Sequence, residues 1–290
     1  MPGNCCLVAR QRLSPSGEYR QVVNIMVPRY QAGGEASMCL VLVVWRMHPR
    51  YPCVVAANRD EFHARPTAGA GWWPDHPAIL AGRDLEAGGT WLGVTRTGRF
   101  AALTNYRDPE RLRTAAPSRG ALVTSMLESG ASVAEGLTYL RGVGADYNGF
   151  NLIFSDGERL GIYESVRGSG RELGPGIYGL SNHLLDTPWP KVQKAKSRLE
   201  AALSDMSDTA PLLALLRDDR PAPDAQLPQT GVSLEWERLL SSAFVRAPDY
   251  GTRCSTIIRI ESRGRAYFDE WSWSPGGSDI GRVGMQFMRI

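Results

Sequence analysis

A cysteine follows an internal methionine at Met38-Cys39 and opens the apolar run Leu40-Val41-Leu42-Val43-Val44-Trp45. If translation starts at Met38 and that methionine is removed, a thiol and a free α-amine share one residue. An α-amine titrates near ~7.7–8.0, so it can take the thiol proton at neutral pH and act as the nucleophile's own base. Acyl transfer by such a thiol also needs a group that controls its charge, donors for a developing oxyanion, and something to orient the amine. In Asn58-Arg59-Asp60-Glu61, Arg59 has the charge to favour thiolate and Asp60 can hold the amine. Asn105 ends Leu103-Thr104-Asn105, Asn151 lies inside Phe150-Asn151-Leu152, and Asn182 sits in Leu180-Ser181-Asn182-His183. Arg253 opens the last predicted hairpin. Each of these alone reads first as a hydrogen-bonded structural residue. Polar groups at the ends of several strands together point to a site.

The elements must deliver them. Residues 39–45 and 51–58 are β-branched-rich runs joined by Arg46-Met47-His48-Pro49-Arg50, an antiparallel hairpin. A turn centred near His48 sets Cys39 opposite Ala57 or Asn58, so register alone brings Asn58-Arg59-Asp60-Glu61 beside the nucleophile. Further strands are predicted at 90–95, 100–105, 150–154, 160–164, 176–181, 252–261, 265–271 and 285–290, with turns at Thr97-Gly98, Tyr147-Asn148-Gly149 and Asp156-Gly157. Helices are predicted at 118–128 and 132–141, each opened by a serine suited to capping. A third, at 190–203, begins with a proline and carries the apolar stripe Val192, Ala195, Leu199, Leu203. Its lysines, Lys191, Lys194 and Lys196, read as a solvated face. Residues 219–230, with Pro221, Pro223 and Pro228, form a proline-rich loop suited to covering a pocket. Blocks of strands, then helices, then strands imply an α+β fold of two antiparallel sheets between helical layers.

The 290 residues, 43% hydrophobic, suffice for one large domain or two modest ones. Net charge is +3 and no stretch interleaves basic with aromatic residues, which leaves nucleic-acid binding with little support. The longest apolar run is far short of the ~20 residues that span a bilayer. Five cysteines form no C-x-x-C pair and the four histidines are scattered, so no metal or other cofactor is expected and the thiols suit a reducing cytoplasm. Residues 1–37 hold arginines with no sustained period. They are expected to be a loosely packed extension, from a start assigned too far upstream, ahead of one domain over 38–290. Lysine occurs only at 191, 194 and 196, and the arginine-rich balance suits a GC-rich, bacterial source.

Colinear segments carry a resemblance. They are Met38-Cys39, Asn58-Arg59-Asp60-Glu61-Phe62, Gly88-Gly89-Thr90-Trp91-Leu92-Gly93, Thr104-Asn105-Tyr106-Arg107 and Ser118-Arg119-Gly120. They continue through Tyr147-Asn148-Gly149-Phe150-Asn151-Leu152, Gly179-Leu180-Ser181-Asn182-His183 and Thr187-Pro188-Trp189-Pro190-Lys191 to Leu227-Pro228-Gln229-Thr230-Gly231 and Tyr250-Gly251-Thr252-Arg253. Over nearly all of the chain after residue 37, these resemble the NRDE family, also called the transport and Golgi organisation type two family. That family is similar to the N-terminal-nucleophile (Ntn) hydrolases, which implies a four-layer α/β/β/α sandwich. The resemblance implies a catalytic set of Cys39, Arg59, Asp60, Asn105, Asn151 and Arg253, with Asn58, Asn182 and His183 as substrate contacts. It implies an amidohydrolase or acyltransferase acting on a small amide or thioester. The alternative is a non-catalytic carrier on the same fold, serving haem trafficking or acyl-lipid and coenzyme A homeostasis. There His183, Met47 or a cysteine would meet a haem-like ligand. A regulatory scaffold is the third reading.

Overall fold

The apolar run that begins at Cys39 forms β1 (Met38–Trp45). Its hairpin partner β2 (Cys53–Phe62) does not stop at Asn58 but runs on through the polar tetrapeptide. The reason is that β2 is a central strand, paired with β1 on one side and with β11 (Tyr250–Ile260) on the other. The hairpin loop closes from Arg46 N–H to Pro52 C=O (2.7 Å), so its midpoint is Pro49 and Cys39 faces Arg59. Cross-strand partners share one face of a sheet, which turns Cys39 and Arg59 to the same side. The computed structural model describes residues 38–290, and the expectation for residues 1–37 lies outside the described residues.

Among the described residues, one sheet has six strands in the order β10 (Gly176–Leu180), β1, β2, β11, β12 (Arg265–Trp273), β13 (Asp279–Met288). The other has seven in sequence order, β3 (Thr67–Trp72), β4 (Ile79–Asp84), β5 (Leu92–Thr95), β6 (Phe100–Asn105), β7 (Phe150–Ser155), β8 (Leu160–Glu164) and β9 (Ser169–Leu173). All pairings are antiparallel. The helices are α1 (Gly120–Glu128), α2 (Val133–Val143), α3 (Pro190–Ala201), α4 (Ala210–Leu216) and α5 (Leu234–Leu240).

Three cores separate four layers. Val41, Val43 and Val55 from the first sheet pack against Val94, Phe100 and Ile153 from the second. Leu40, Leu42 and Val44 face the opposite way, onto Val192, Ala195 and Leu199 of α3 and Leu212 and Leu216 of α4. Leu103 and Leu152 of the second sheet meet Leu122 and Val123 of α1 and Leu137 of α2. Strict alternation along β1 therefore feeds two cores, and burying both faces is why the run is continuously apolar. The result is the expected α/β/β/α sandwich. Gly179 lets α3 approach: a Cβ there would lie 2.7 Å from Val192 Cγ1 and 2.9 Å from Lys196 Cδ.

The departures are local. Strand β3 was not expected because Thr67-Ala68-Gly69-Ala70-Gly71-Trp72 has weak strand propensity. Strand β9 is a largely exposed edge without an apolar period. Strand β13 begins at Asp279, ahead of the expected 285. Helices α4 and α5 span seven residues each, too few for a helical period to stand out. Ser132 does cap α2, in a reciprocal box with Glu135. Among the described residues no helix is long and apolar enough to cross a membrane.

Candidate active site

The site lies where β1 loses its outer partner. Pairing between β1 and β10 begins at Val41 and Leu180, so among the described residues no strand lies beside the outer edge of Cys39. Side chains take the strand's place. Ser181 Oγ donates to the Cys39 carbonyl (3.0 Å) and Asn182 Oδ1 accepts from the Cys39 N–H (3.4 Å). Asn182 is itself fixed, its amide donating to the Asn105 carbonyl (2.9 Å) and its own carbonyl accepting from Arg107 N–H (2.8 Å). Both main-chain groups of Cys39 are thereby held by polar side chains that follow β10.

Arg59 and Cys254 extend a row across three strands, since Cys39 faces Arg59 and Arg59 faces Cys254. The Arg59 guanidinium is buried and tied to the second sheet. It donates to Thr67 Oγ1 (2.8 Å) and Asp84 Oδ2 (3.3 Å) and lies over the Trp91 ring at 4.3 Å. Its charge favours a Cys39 thiolate, but burial dominates and, with Asp60, pushes the thiol up to about 12. In the described chain Cys39 is a neutral thiol, 4% exposed.

Asp60 points to the other face. Its Oδ1 accepts from Thr252 Oγ1 (2.6 Å), and that oxygen accepts from Val245 N–H (2.9 Å). Burial raises the Asp60 carboxyl to about 6, against the pull of Lys191. Lys191, on α3, corrects the solvated-face expectation: it is 4% exposed and its Nζ makes no hydrogen bond among the described residues. It precedes Ala195 by one turn and so falls at the edge of the apolar stripe, the signal that would have found it. Burial lowers its ammonium to about 8, Asp60 opposing.

A stability prediction follows. A lysine whose folded value lies below its unfolded one contributes stability at high pH that is lost as pH falls through the folded value. As pH rises from about 8 towards about 10.5, wild type should therefore gain stability relative to Lys191→Met. Parallel Tm curves for the two proteins over that window would refute it.

The remaining expected residues divide. The Asn105 side chain makes no hydrogen bond among the described residues and sits at the strand end next to Asn182. Asn151 has spent both amide hydrogens, on Thr104 Oγ1 (3.2 Å) and the His183 carbonyl (2.8 Å). His183 bonds Thr187 Oγ1 through Nδ1 (2.8 Å) and packs against Tyr106 and Trp189. Burial depresses its basicity, with Arg167 adding to the effect. Arg253 occupies a β-bulge between Thr252 and Cys254, and donates to the Phe62 and Arg65 carbonyls (2.8 and 3.0 Å). It lies within the field of Arg59. Asn58 faces the helical layer, where it donates to the Leu216 and Ala243 carbonyls (2.8 and 2.7 Å) and accepts from Ser255 Oγ (2.6 Å). Cys39, Arg59, Asp60, Asn105 and Asn182 thus come together at one end of the first sheet, and Asn58 turns away. Ser181, Thr252, Arg107 and Lys191 belong to the same cluster without having stood out in the sequence.

The sequence model of a family described as Transport and Golgi organisation 2 matches residues 38–275. A Transport and Golgi organization protein 2 homolog from Bos taurus is 40% identical over 265 residues, covering 81% of this chain and 93% of that protein. The Homo sapiens homolog is 38% identical over 262 residues, with 81% and 93% covered. Among solved structures, a Caenorhabditis elegans N-acylethanolamine-hydrolyzing acid amidase ortholog aligns with a TM-score of 0.43 at 10% identity, covering 76% of this chain and 92% of that one. That likeness is too distant to carry residue roles across. The expected bacterial source is overturned, since the curated relatives are eukaryotic, among them proteins of cattle, man, mouse and fly. Arginine over lysine is a matter of base composition and does not separate the kingdoms.

Proposed function

We propose that this chain, which belongs to the Transport and Golgi organisation 2 family, is an N-terminal-cysteine amidohydrolase or acyltransferase acting on a small amide or thioester. The observation that carries the reading is the grip on Cys39. Where strand pairing ends, Ser181 and Asn182 hold its carbonyl and nitrogen by side chains, an arrangement suited to a nitrogen that must be oriented rather than merely paired.

In this reading the domain runs from residue 38 and Met38 is removed, so the Cys39 nitrogen becomes a primary amine. Burial keeps the thiol protonated at rest. As sulfur attacks the acyl carbonyl, the thiol proton passes to that amine and the carbonyl electrons move onto oxygen. The unspent amide of Asn105 donates to this oxyanion, while Asn151 ties the His183 carbonyl to Thr104 of β6 through its two committed hydrogens. Collapse expels the amine or thiol leaving group, which takes the proton from the Cys39 ammonium. Water, or an acceptor nucleophile, then gives a proton to the amine and attacks the thioester carbonyl. The C–S bond breaks as the Cys39 sulfur leaves and takes that proton back from the ammonium. Asp60, held by Thr252, sits opposite residue 38 in the strand register and orients the amine.

The test is a mass measurement. Protein from its native host should begin at Cys39 and, mixed with a panel of N-acyl and S-acyl compounds, gain one acyl mass on the peptide that begins at Cys39. Recovery of Met1 or Pro2 as the dominant first residue, with no acyl adduct, overturns the reading.

A further inference from the structure

We infer that the site takes a substrate bearing an oxyanion, a carboxylate or a phosphate, bound between Arg107 and Lys191 beside Cys39. This rests on the function proposed above, because it describes the ligand as the substrate of that thiol.

Two buried cations there hold unspent donors. Arg107, which follows β6, has its guanidinium on the Trp189 ring at 4.7 Å. Its Nη1 makes both of its bonds, to Glu237 Oε2 (2.9 Å) and Thr230 Oγ1 (3.0 Å). Its Nε is buried without a hydrogen-bond partner among the described residues. Lys191 Nζ is the second such donor. Trp189, which carries the Arg107 guanidinium, caps helix α3 two residues before Lys191. The Arg107 main chain holds Asn182, which holds the Cys39 nitrogen, and Lys191 lies within the electrostatic reach of both Arg107 and Cys39.

A buried charged donor without an acceptor costs about 1–3 kcal/mol or more, so unspent donors in a native fold need an explanation. The titratable and charged groups facing Lys191 from the elements around it are Asp60, Arg107, the neutral Cys39 thiol and Glu237. Asp60 and Glu237 offset the two cations in charge but leave these hydrogens unused. An oxyanion supplies what is missing. The Nε side of the Arg107 fork matches two oxygens of one carboxylate or phosphate, and Lys191 reaches a further lone pair as a point charge. A neutral amide offers a single oxygen and no charge.

The experiment is calorimetric titration of the full chain, at fixed ionic strength and pH 7, with hexanoate, hexyl phosphate and the uncharged counterpart hexanamide. At least one anion should bind about tenfold or more tighter than hexanamide, the scale of one charged hydrogen bond. The stronger of the two names the source of the oxyanion. Lys191→Met should erase that preference, Lys191→Arg should keep most of it, and Arg111→Met, at an exposed arginine elsewhere, should leave it unchanged. Hexanamide binding as tightly as both anions overturns the inference, and needs no variant that might misfold. So does a preference that survives in Lys191→Met. Binding uses neither the thiol nor a free amine, so an inert Cys39 would sink the enzymatic reading while leaving this measurement intact.

Discussion

In protein beginning at Cys39, Cys39→Ala lowers amide or thioester turnover by roughly 10⁴-fold or more, the scale seen when a covalent nucleophile is lost. Cys39→Ser retains little, because a hydroxyl is far less acidic than a thiol and the proposed step uses no further base beside the α-amine to offset that. The same protein offers a check that needs no substrate. In the described chain, burial pushes both Cys39 and Cys53 up to about 12, so iodoacetamide should label each of them slowly at pH 8. Freeing the Cys39 amine gives its thiol a proton acceptor that Cys53, buried among apolar side chains, never has. Labelling of Cys39 should then outrun that of Cys53. Equal labelling, together with a Cys39→Ala protein that still supports the cellular function, would favour a carrier on this fold.

Asn58→Ala destabilises the domain by about 3 kcal/mol, which for a domain of this size lowers Tm by roughly 6–12 °C. One side chain here serves three partners from distant parts of the chain: the last carbonyl of α4, the Ala243 carbonyl and the Ser255 hydroxyl. Ser255 in turn accepts from the Trp273 indole (2.9 Å), so the loss reaches β12. Removing the amide strands two buried carbonyls in the layer between sheet and helices, where water cannot replace it. Because Asn58 faces away from the Cys39 thiol, Asn58→Ala protein that remains folded should keep its affinity for substrate. Thermal unfolding and a KM measurement separate the two effects, and a rise in KM without a loss of Tm would make Asn58 a substrate contact.

What could be read from the residues was whatever repeats within one element or sits at its boundary. The β-branched-rich run from Leu40 to Trp45 told of a strand, and Ser132 and Pro190 marked the starts of α2 and α3. The hairpin register brought Asn58-Arg59-Asp60-Glu61 to Cys39 within one residue of its true pairing, because a short loop leaves little room for error. Tertiary structure alone decided which groups face each other. The clamp on the Cys39 nitrogen joins residues 143 positions apart, and the Asp60 hydroxyl partner comes from 192 positions away. No local period encodes such a meeting. Lys191 has the same side-chain type as Lys194 and Lys196, yet its place at the edge of the apolar stripe and the close approach of α3 over Gly179 carry it inside. Asn105 and Asn151 look alike in the sequence, both being polar residues on predicted strands. They differ only because the fold brings acceptors to both amide hydrogens of Asn151 and to neither of Asn105. Side-chain type and period are properties of a segment, whereas burial and hydrogen-bond satisfaction belong to the pair that long-range packing brings into contact.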